Sequence, residues 1–155
     1  MRRGLGHLVA LTRNSNRLRQ ALPGCFRDRL ESRTVNALQD RCAAMFEKED
    51  ACFVPSGTMA NQLAIRSQTQ PGDEIIVHGE SHIVRYEAGA AAALSGCTFA
   101  IATGDRGFFT VEDLHGLVRP EDAHFGNSRL VVLENTHNRG GGSIWPLEQL
   151  KEVCE

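Results

Sequence analysis

The sequence has no long apolar segment, few aromatic residues and little lysine. Only Lys48 and Lys151 occur among its 155 residues, and aromatic residues make up 6%. No run approaches the ~20 consecutive apolar residues that a membrane-spanning helix requires. Residues 5–12 are too few and too poorly flanked for a secretory signal. We therefore expect a soluble protein without a membrane partner.

The sequence also lacks paired cysteines. Its cysteines are odd in number, widely spaced and never in a C-x-x-C pair, which argues against a disulfide framework and against a zinc finger. Buried, reduced thiols are typical of a cytoplasmic protein, which is the location we expect. The five cysteines are Cys25, Cys42, Cys52, Cys97 and Cys154.

The composition is that of an ordinary globular protein, but the charge is unevenly distributed. Hydrophobic residues make up 41% and charged residues 23% of the chain, which excludes wholesale disorder. Residues 1–33 contain eight Arg against Asp28 and Glu31, a net charge of +6. Residues 34–155 have nine basic against 17 acidic side chains, a net charge of −8. The overall charge of −2 therefore combines two different segments.

The basic residues 1–33 have three interpretations. Clustered arginines can bind nucleic acid, but these are not interleaved with aromatic residues, and the acidic remainder would repel a polyanion. We therefore expect no nucleic-acid partner. An Arg-rich, acid-poor N-terminus also resembles a transit peptide. In the third interpretation, these residues are not the natural start of the domain.

Beyond residue 33, helical and strand-like patterns alternate. This predicts an α/β fold with a mainly parallel sheet flanked by helices. The first helix carries apolar residues at helical spacing from Val35 to Phe46, with Ser32 or Thr34 as its N-cap. Apolar runs at 51–54, 75–77, 97–102 and 129–133 alternate with helices at 56–68, 82–94, 111–118 and from 146 onward.

Polar segments follow three of the predicted strands, where ligands bind in open α/β sheets. The first is "PSGTMANQ" at 55–62, in which small and hydroxylic residues open a helix. The free N–H groups of a first helical turn suit a phosphate, and an ordinary helix cap explains the same residues equally well. The third is "ENTHN" at 134–138, a polar cluster followed by Arg139 and three glycines.

The second polar segment, which follows the predicted strand at 75–77, contains histidines. His78 and His82 are four residues apart, and with His124 and His137 they are conceivable metal ligands. No carboxylate–histidine motif of a known zinc type is present, so we expect no metal site. A histidine just past a strand end is better placed to stack on a flat ring or to relay a proton. Nearby, Arg85 and Glu87 are interpreted as charges at the surface or in a dimer contact.

Six blocks together resemble the low-specificity L-threonine aldolase family. This family lies within the aromatic amino-acid β-eliminating lyase and threonine aldolase group of fold type I pyridoxal-phosphate enzymes. The resemblance runs from about Thr34 to the end of the chain. The blocks, in order and at family-like spacing, are "TVNALQ", "FVPSGTMANQLA", "PGDEIIV", "SHIVRYEAGAAAALSG", "RPEDAHF" and "LENTHNRGGG".

The resemblance implies roles for seven residues around pyridoxal 5′-phosphate. The residues that match those holding the cofactor phosphate are Ser56, Gly57 and Thr58, and His82 matches the histidine that stacks on the pyridine ring. His124 matches a histidine near the β-hydroxyl of the substrate, and Asn135 and Thr136 match residues that line the site.

The implied reaction is retro-aldol cleavage of threonine or allo-threonine to glycine and acetaldehyde, with the cofactor as electron sink. The substrate is then a small β-hydroxy amino acid, and the family implies a homo-oligomer, a dimer or tetramer. A tryptophanase-type β-eliminating lyase is an alternative, although His82 in place of an aromatic ring favours the aldolase. The alternative from a non-enzymatic class of function is an interaction chain that pairs with another subunit.

Two features depart from the family pattern. Such an enzyme needs a lysine for the Schiff base, and neither Lys48 nor Lys151 lies in a segment that resembles the family's. The family's segment before "TVN" is also replaced. We therefore interpret residues 34–155 as the N-terminal part of the large domain, inactive alone, behind a basic and non-homologous leader, residues 1–33, for which we expect disorder.

Overall fold

The computed structural model describes residues 8–12 and 32–155. The chain divides into two units, Met1–Gln68 and Thr69–Glu155. Within the described ranges, no helix is both long enough and apolar enough to cross a membrane.

The first unit contains a two-stranded sheet and two helices. Strand β1 (Leu8–Thr12) pairs antiparallel with β2 (Asp50–Val54), and helices α1 (Arg33–Met45) and α2 (Gly57–Gln68) flank β2 in the sequence. Strand β1 lies within the predicted leader, and most of the remaining leader lies outside the described residues. The boundary at residue 33 stays a prediction. The buried core consists of Cys52, Val54, Ala60 and Leu63.

Helix α1 begins where the sequence predicts and turns a different face inward. Ser32 is its N-cap, and its hydroxyl accepts a bond from the N–H of Val35 at 3.4 Å. The apolar side chains of Leu38 and Phe46 are 40% and 54% exposed, whereas Gln39 is buried. The Oε1 atom of Gln39 accepts the N–H of Phe53 at 2.8 Å. A main-chain donor that is partly removed from water needs a partner, and this bond accounts for the inward position of Gln39.

The second unit is built on a parallel three-stranded sheet, which confirms the predicted architecture. Strand β3 (Glu74–His78) lies in the middle, between β4 (Thr98–Ala102) and β5 (Ser128–Val132). All five residues of β3 are buried, as expected for a central parallel strand covered on both faces. The carboxyl ends of the three strands meet at one edge, which we call the carboxyl edge.

The segment predicted as a helix at 82–94 is helical in two pieces and not in one. It is interrupted into α3 (His82–Arg85) and α4 (Ala90–Ser95). Ala88 and Gly89 both have positive φ, 52° and 71°, which a continuous right-handed helix excludes. The break turns residue 87 inward, toward the start of α3.

The rest of this unit surrounds an aromatic core. After β4 come a 3-10 turn (Asp105–Gly107), helix α5 (Val111–His115), which is shorter than predicted, and, after β5, helix α6 (Leu147–Cys154). Thr110 caps α5 in a reciprocal capping box with Asp113. The ring of Trp145 contacts Phe108 and Phe109 edge-on at 5.1 and 5.2 Å.

Candidate functional site

One carboxylate joins two loops at the carboxyl edge. Glu134 follows β5, and its Oε2 accepts the main-chain N–H of His82, the first residue of α3, at 2.6 Å. Its Oε1 accepts the N–H of Asn138 at 2.8 Å. Hydrogen bonds to an ionised carboxylate are the stronger kind, so this side chain fixes the loop after β3 to the loop after β5.

A second carboxylate holds the ring of His82. Its Nδ1 lies 2.9 Å from Oε1 of Glu87, whose side chain is 0% exposed, while the histidine side chain is 41% exposed. The ring of Tyr86 lies 5.5 Å from the imidazole, centroid to centroid, at 49°. The interpretation of Glu87 as a surface charge is therefore wrong, because the helix break at 86–89 points it inward. The same interpretation of Arg85 agrees with its exposure.

Paired charges form the exposed rim of this site. The carboxylate of Glu80 forms ion pairs with Arg85 and Arg139. Partial desolvation acts to raise the pKa of Glu80, but the two arginines outweigh it and hold the pKa below its ordinary value. Arg139 also donates to the hydroxyl of Tyr86 at 2.9 Å, and this bond, together with Glu80, raises the pKa of the guanidinium.

His78 and His137 are buried behind the rim and bond to main-chain groups. His78 Nδ1 accepts the N–H of Glu80 at 3.2 Å, so its Nε2 donates to the carbonyl of Gly104 at 3.1 Å. His137 Nδ1 accepts the N–H of Gly140 at 3.0 Å. The rings of His78 and His137 contact each other edge-on, with their centroids 5.2 Å apart. Over residues 8–12 and 32–155, no group of three or more His, Cys, Asp or Glu could hold a metal ion.

The structure brings some of the predicted residues together and leaves one apart. Asn135 and Thr136 are exposed and follow Glu134 directly, at the same edge as His82. The Asn135 Oδ1 atom accepts the N–H of Trp145 at 3.4 Å. His124 precedes β5 and therefore lies at the opposite edge, exposed, with its N–H donated to Asp122 at 2.8 Å.

The predicted phosphate loop lies in the first unit, at the start of α2. The Ser56 hydroxyl accepts the N–H of Met59 at 3.2 Å, so Ser56 caps the helix. The N–H groups of Gly57 and Thr58 have no acceptor among the described residues, and the side chain of Thr58 is exposed. The cap and the phosphate interpretation are thus compatible, since they use different donors.

Sequence reasoning missed the importance of Glu87. The signal that was available is the pair Ala88–Gly89, because glycine two residues after a carboxylate permits the left-handed turn that buries it. The role of Glu134 was easier to predict, since a carboxylate that follows an apolar strand and leaves the water is costly without a partner.

Comparisons with known proteins match most of the chain. The family model described as beta-eliminating lyase matches residues 28–155, six residues earlier than the predicted start of the resemblance. The low specificity L-threonine aldolase of Escherichia coli (strain K12) is 41% identical over 123 residues, covering 79% of this chain and 36% of that protein. An uncharacterized protein of Caenorhabditis elegans is 40% identical over 124 residues, covering 30% of its length. The chain thus spans about a third of the length of these relatives.

A solved structure shows the same fold. Leishmania major threonine aldolase superposes with a TM-score of 0.68 at 21% identity, over 93% of this chain and 43% of that one. The predicted fold class, a mainly parallel sheet flanked by helices as in the threonine aldolases, is therefore confirmed.

Proposed function

Because the chain belongs to the beta-eliminating lyase family, we propose that it carries part of the site of a threonine aldolase-type lyase. The reaction is the retro-aldol cleavage of threonine or allo-threonine to glycine and acetaldehyde. The observation that carries the proposal is the ring of His82. It is half-exposed at the carboxyl edge and is held at its main chain by Glu134 and at Nδ1 by Glu87. Such a fixed, accessible imidazole suits stacking on a planar cofactor.

The residues present fit pyridoxal 5′-phosphate, unit by unit. In the first unit, the N–H groups of Gly57 and Thr58, which have no acceptor in the part of the chain that the structure describes, open a 12-residue helix. The helix dipole favours a phosphate there, and Ser56 orders the turn. In the second unit, His82 offers a ring face. When bound, the cofactor would act as electron sink for the carbanion that cleavage leaves on the substrate.

The remaining predicted residues contribute polar groups. Asn135 and Thr136 present an amide and a hydroxyl at the carboxyl edge, which suit the polar groups of a small β-hydroxy amino acid. We keep His124 as the residue that acts near the β-hydroxyl, on the resemblance alone. Since His124 lies at the opposite edge of its own sheet, this role requires that it act in the site of a second copy of the chain, in line with the proposed homo-oligomer.

The lysines do not complete the site. Lys151 lies on α6, where its Nζ pairs with Glu148 at 3.0 Å, and Lys48 lies in the turn after α1. Neither position matches the cofactor lysine of the family. We therefore propose that these 155 residues do not turn over substrate alone. The four described cysteines are thiols and not halves of a disulfide, in line with the proposed cytoplasmic location.

Titration with pyridoxal 5′-phosphate tests the proposal. We expect saturable binding to the full chain, weakened several-fold in His82→Ala, because a stacked ring contact contributes roughly 1 kcal/mol. His115→Ala is the matched control, since His115 is an exposed histidine on α5 in the same unit. Absence of saturable binding would exclude the cofactor role. A borohydride-trapped adduct at Lys48 or Lys151 that supports acetaldehyde release would contradict the proposed lack of turnover.

One observation favours pairing with another subunit as a second function. Among the described strands, β5 pairs only with β3, and its Val131 side chain is 38% exposed. An unpaired edge is a template for further strand pairing. Light scattering after gel filtration would show a mass above that of one chain if the edge is used, and a monomer at high concentration would exclude it.

A further inference from the structure

The imidazole of His82 has two nitrogens in different surroundings. Nδ1 lies 2.9 Å from Oε1 of Glu87. Nε2 has no hydrogen-bond partner among the described residues, and 41% of the side chain is exposed. One nitrogen is therefore engaged with a buried carboxylate, and the other is available to solvent or to a ligand.

The carboxylate decides which nitrogen carries the proton. An ionised carboxylate only accepts hydrogen bonds, so Glu87 requires hydrogen on Nδ1 of His82. In a neutral ring, Nε2 then has a bare lone pair. This is the opposite of the tautomer at His78 and His137, where Nδ1 accepts a main-chain N–H and Nε2 carries the hydrogen. Of these three histidines, only His82 offers Nε2 as an acceptor.

The arrangement is costly, which argues against an incidental contact. The side chain of Glu87 is 0% exposed, and a buried carboxylate is unfavourable unless it is well bonded. It is delivered by the turn at Ala88, a non-glycine residue held at φ 52°. Two nearby charged groups, Glu80 and Arg85, are instead one-third and one-half exposed, with side-chain exposures of 34% and 50%, and pair with each other.

We propose that Glu87 is a positioning residue that holds His82 in the Nδ1–H tautomer and so makes Nε2 a proton-accepting atom at the carboxyl edge. A proton from a bound hydroxyl moves to the Nε2 lone pair, and the electrons of the broken O–H bond stay on oxygen. The imidazolium that forms is balanced by the Glu87 carboxylate. Glu87 does not touch the substrate. The part of this inference that concerns the substrate hydroxyl rests on the proposed function.

Nuclear magnetic resonance of the cofactor-free full chain tests the tautomer. Two-bond ¹H–¹⁵N correlation spectra of a ¹⁵N-labelled sample, at about pH 8.5, distinguish a protonated from a bare ring nitrogen for each histidine. His82 is assigned by the signals that are lost in His82→Gln. We expect hydrogen on Nδ1 of His82. Hydrogen mainly on Nε2 overturns the proposal. This measurement does not depend on any substitution at Glu87.

Two variants separate the carboxylate from its neighbours. In Glu87→Gln we expect the ratio of Nδ1–H to Nε2–H at His82 to fall roughly tenfold or more, as expected for loss of a hydrogen bond to a charged acceptor. Glu80→Gln is the matched control, because it removes from the same loop a partly exposed carboxylate that does not bond to His82, and it should leave the ratio unchanged. An unchanged ratio in a folded Glu87→Gln chain contradicts the proposal.

The outcome is independent of cofactor binding. If pyridoxal 5′-phosphate fails to bind while His82 carries hydrogen on Nδ1 and responds to Glu87→Gln, the proposed function fails and the positioning role of Glu87 is retained. If the cofactor binds and the tautomer is the other one, the positioning role fails alone.

Discussion

The carboxylate of Glu134 accepts the main-chain N–H of His82, 52 residues earlier in the chain, at 2.6 Å. With the bond from Asn138, it anchors both loops of the carboxyl edge. We expect Glu134→Ala to lower the free energy of unfolding by about 2 kcal/mol, because two donors lose a charged acceptor at a half-buried position. Urea denaturation measures this. Glu121→Ala, an exposed loop carboxylate in the same unit, should change stability by less than about 0.5 kcal/mol; equal losses would contradict the anchoring role.

Gly107 should not tolerate a side chain. Its φ is 93°, and a Cβ there would overlap the ring of His137. We expect Gly107→Ala to destabilise the chain by about 3 kcal/mol, from backbone strain plus displacement of a buried ring. Gly141→Ala is the matched control, since Gly141 has φ 77° with open space around it and reports strain alone. Thermal unfolding of the two variants measures the difference, and similar melting temperatures would show that the His137 ring moves aside without a cost in stability.

The capping box of α5 should weaken in acid. Hydrogen bonds from the main chain and side chain of Thr110 hold the pKa of Asp113 below its ordinary value. A carboxylate whose pKa is lowered by folding stabilises the folded state above its unfolded-state pKa, about 3.9, and this contribution is lost as the pH falls through the folded-state value. Asp113→Asn should therefore be less stable than the unchanged chain at pH 7, and the two unfolding curves should converge once the pH has fallen through the folded-state pKa of Asp113. A constant difference across this range would exclude an ionic contribution.

Gln39 should be more sensitive to substitution than its apolar neighbour. Gln39→Leu removes the Oε1 acceptor of the Phe53 N–H, and we expect the free energy of unfolding to fall by about 1–3 kcal/mol because a part-buried donor loses this bond. Leu38→Gln, at a position that is 40% exposed, should cost less than about 0.5 kcal/mol. Urea unfolding of both variants measures the order, and a larger loss at Leu38 would contradict the observed face of α1.

The sequence predicted the strands of the second unit well because each is short, apolar and bounded by turn residues. The core of β3, residues 75–77, was expected, and the structure extends it by one residue at each end. The packing face of α1 was not predictable from apolar spacing. Its orientation depends on the main-chain N–H of Phe53, which belongs to another element and has no signal in the helix itself.

The candidate site was predicted in its location and only partly in its contacts. A polar segment after a strand indicates a site at that edge, and His82 and Asn135 both lie there. The support of His82 by Glu87 depends on a local left-handed turn, and its support by Glu134 depends on strand order. Neither follows from spacing along the chain, because each requires the tertiary fold to bring the partner within reach.

The bond between Glu134 and His82 also sets an order of assembly during synthesis. A chain emerging from the ribosome presents β3 and His82 long before residue 134 is available, so β3 and β4 can pair while the imidazole still lacks its main-chain anchor. The carboxyl edge acquires its geometry only when β5 joins the other side of β3. Nascent chains stalled before and after residue 134 are therefore expected to differ in the protection of the His82 region, although β3 is present in both.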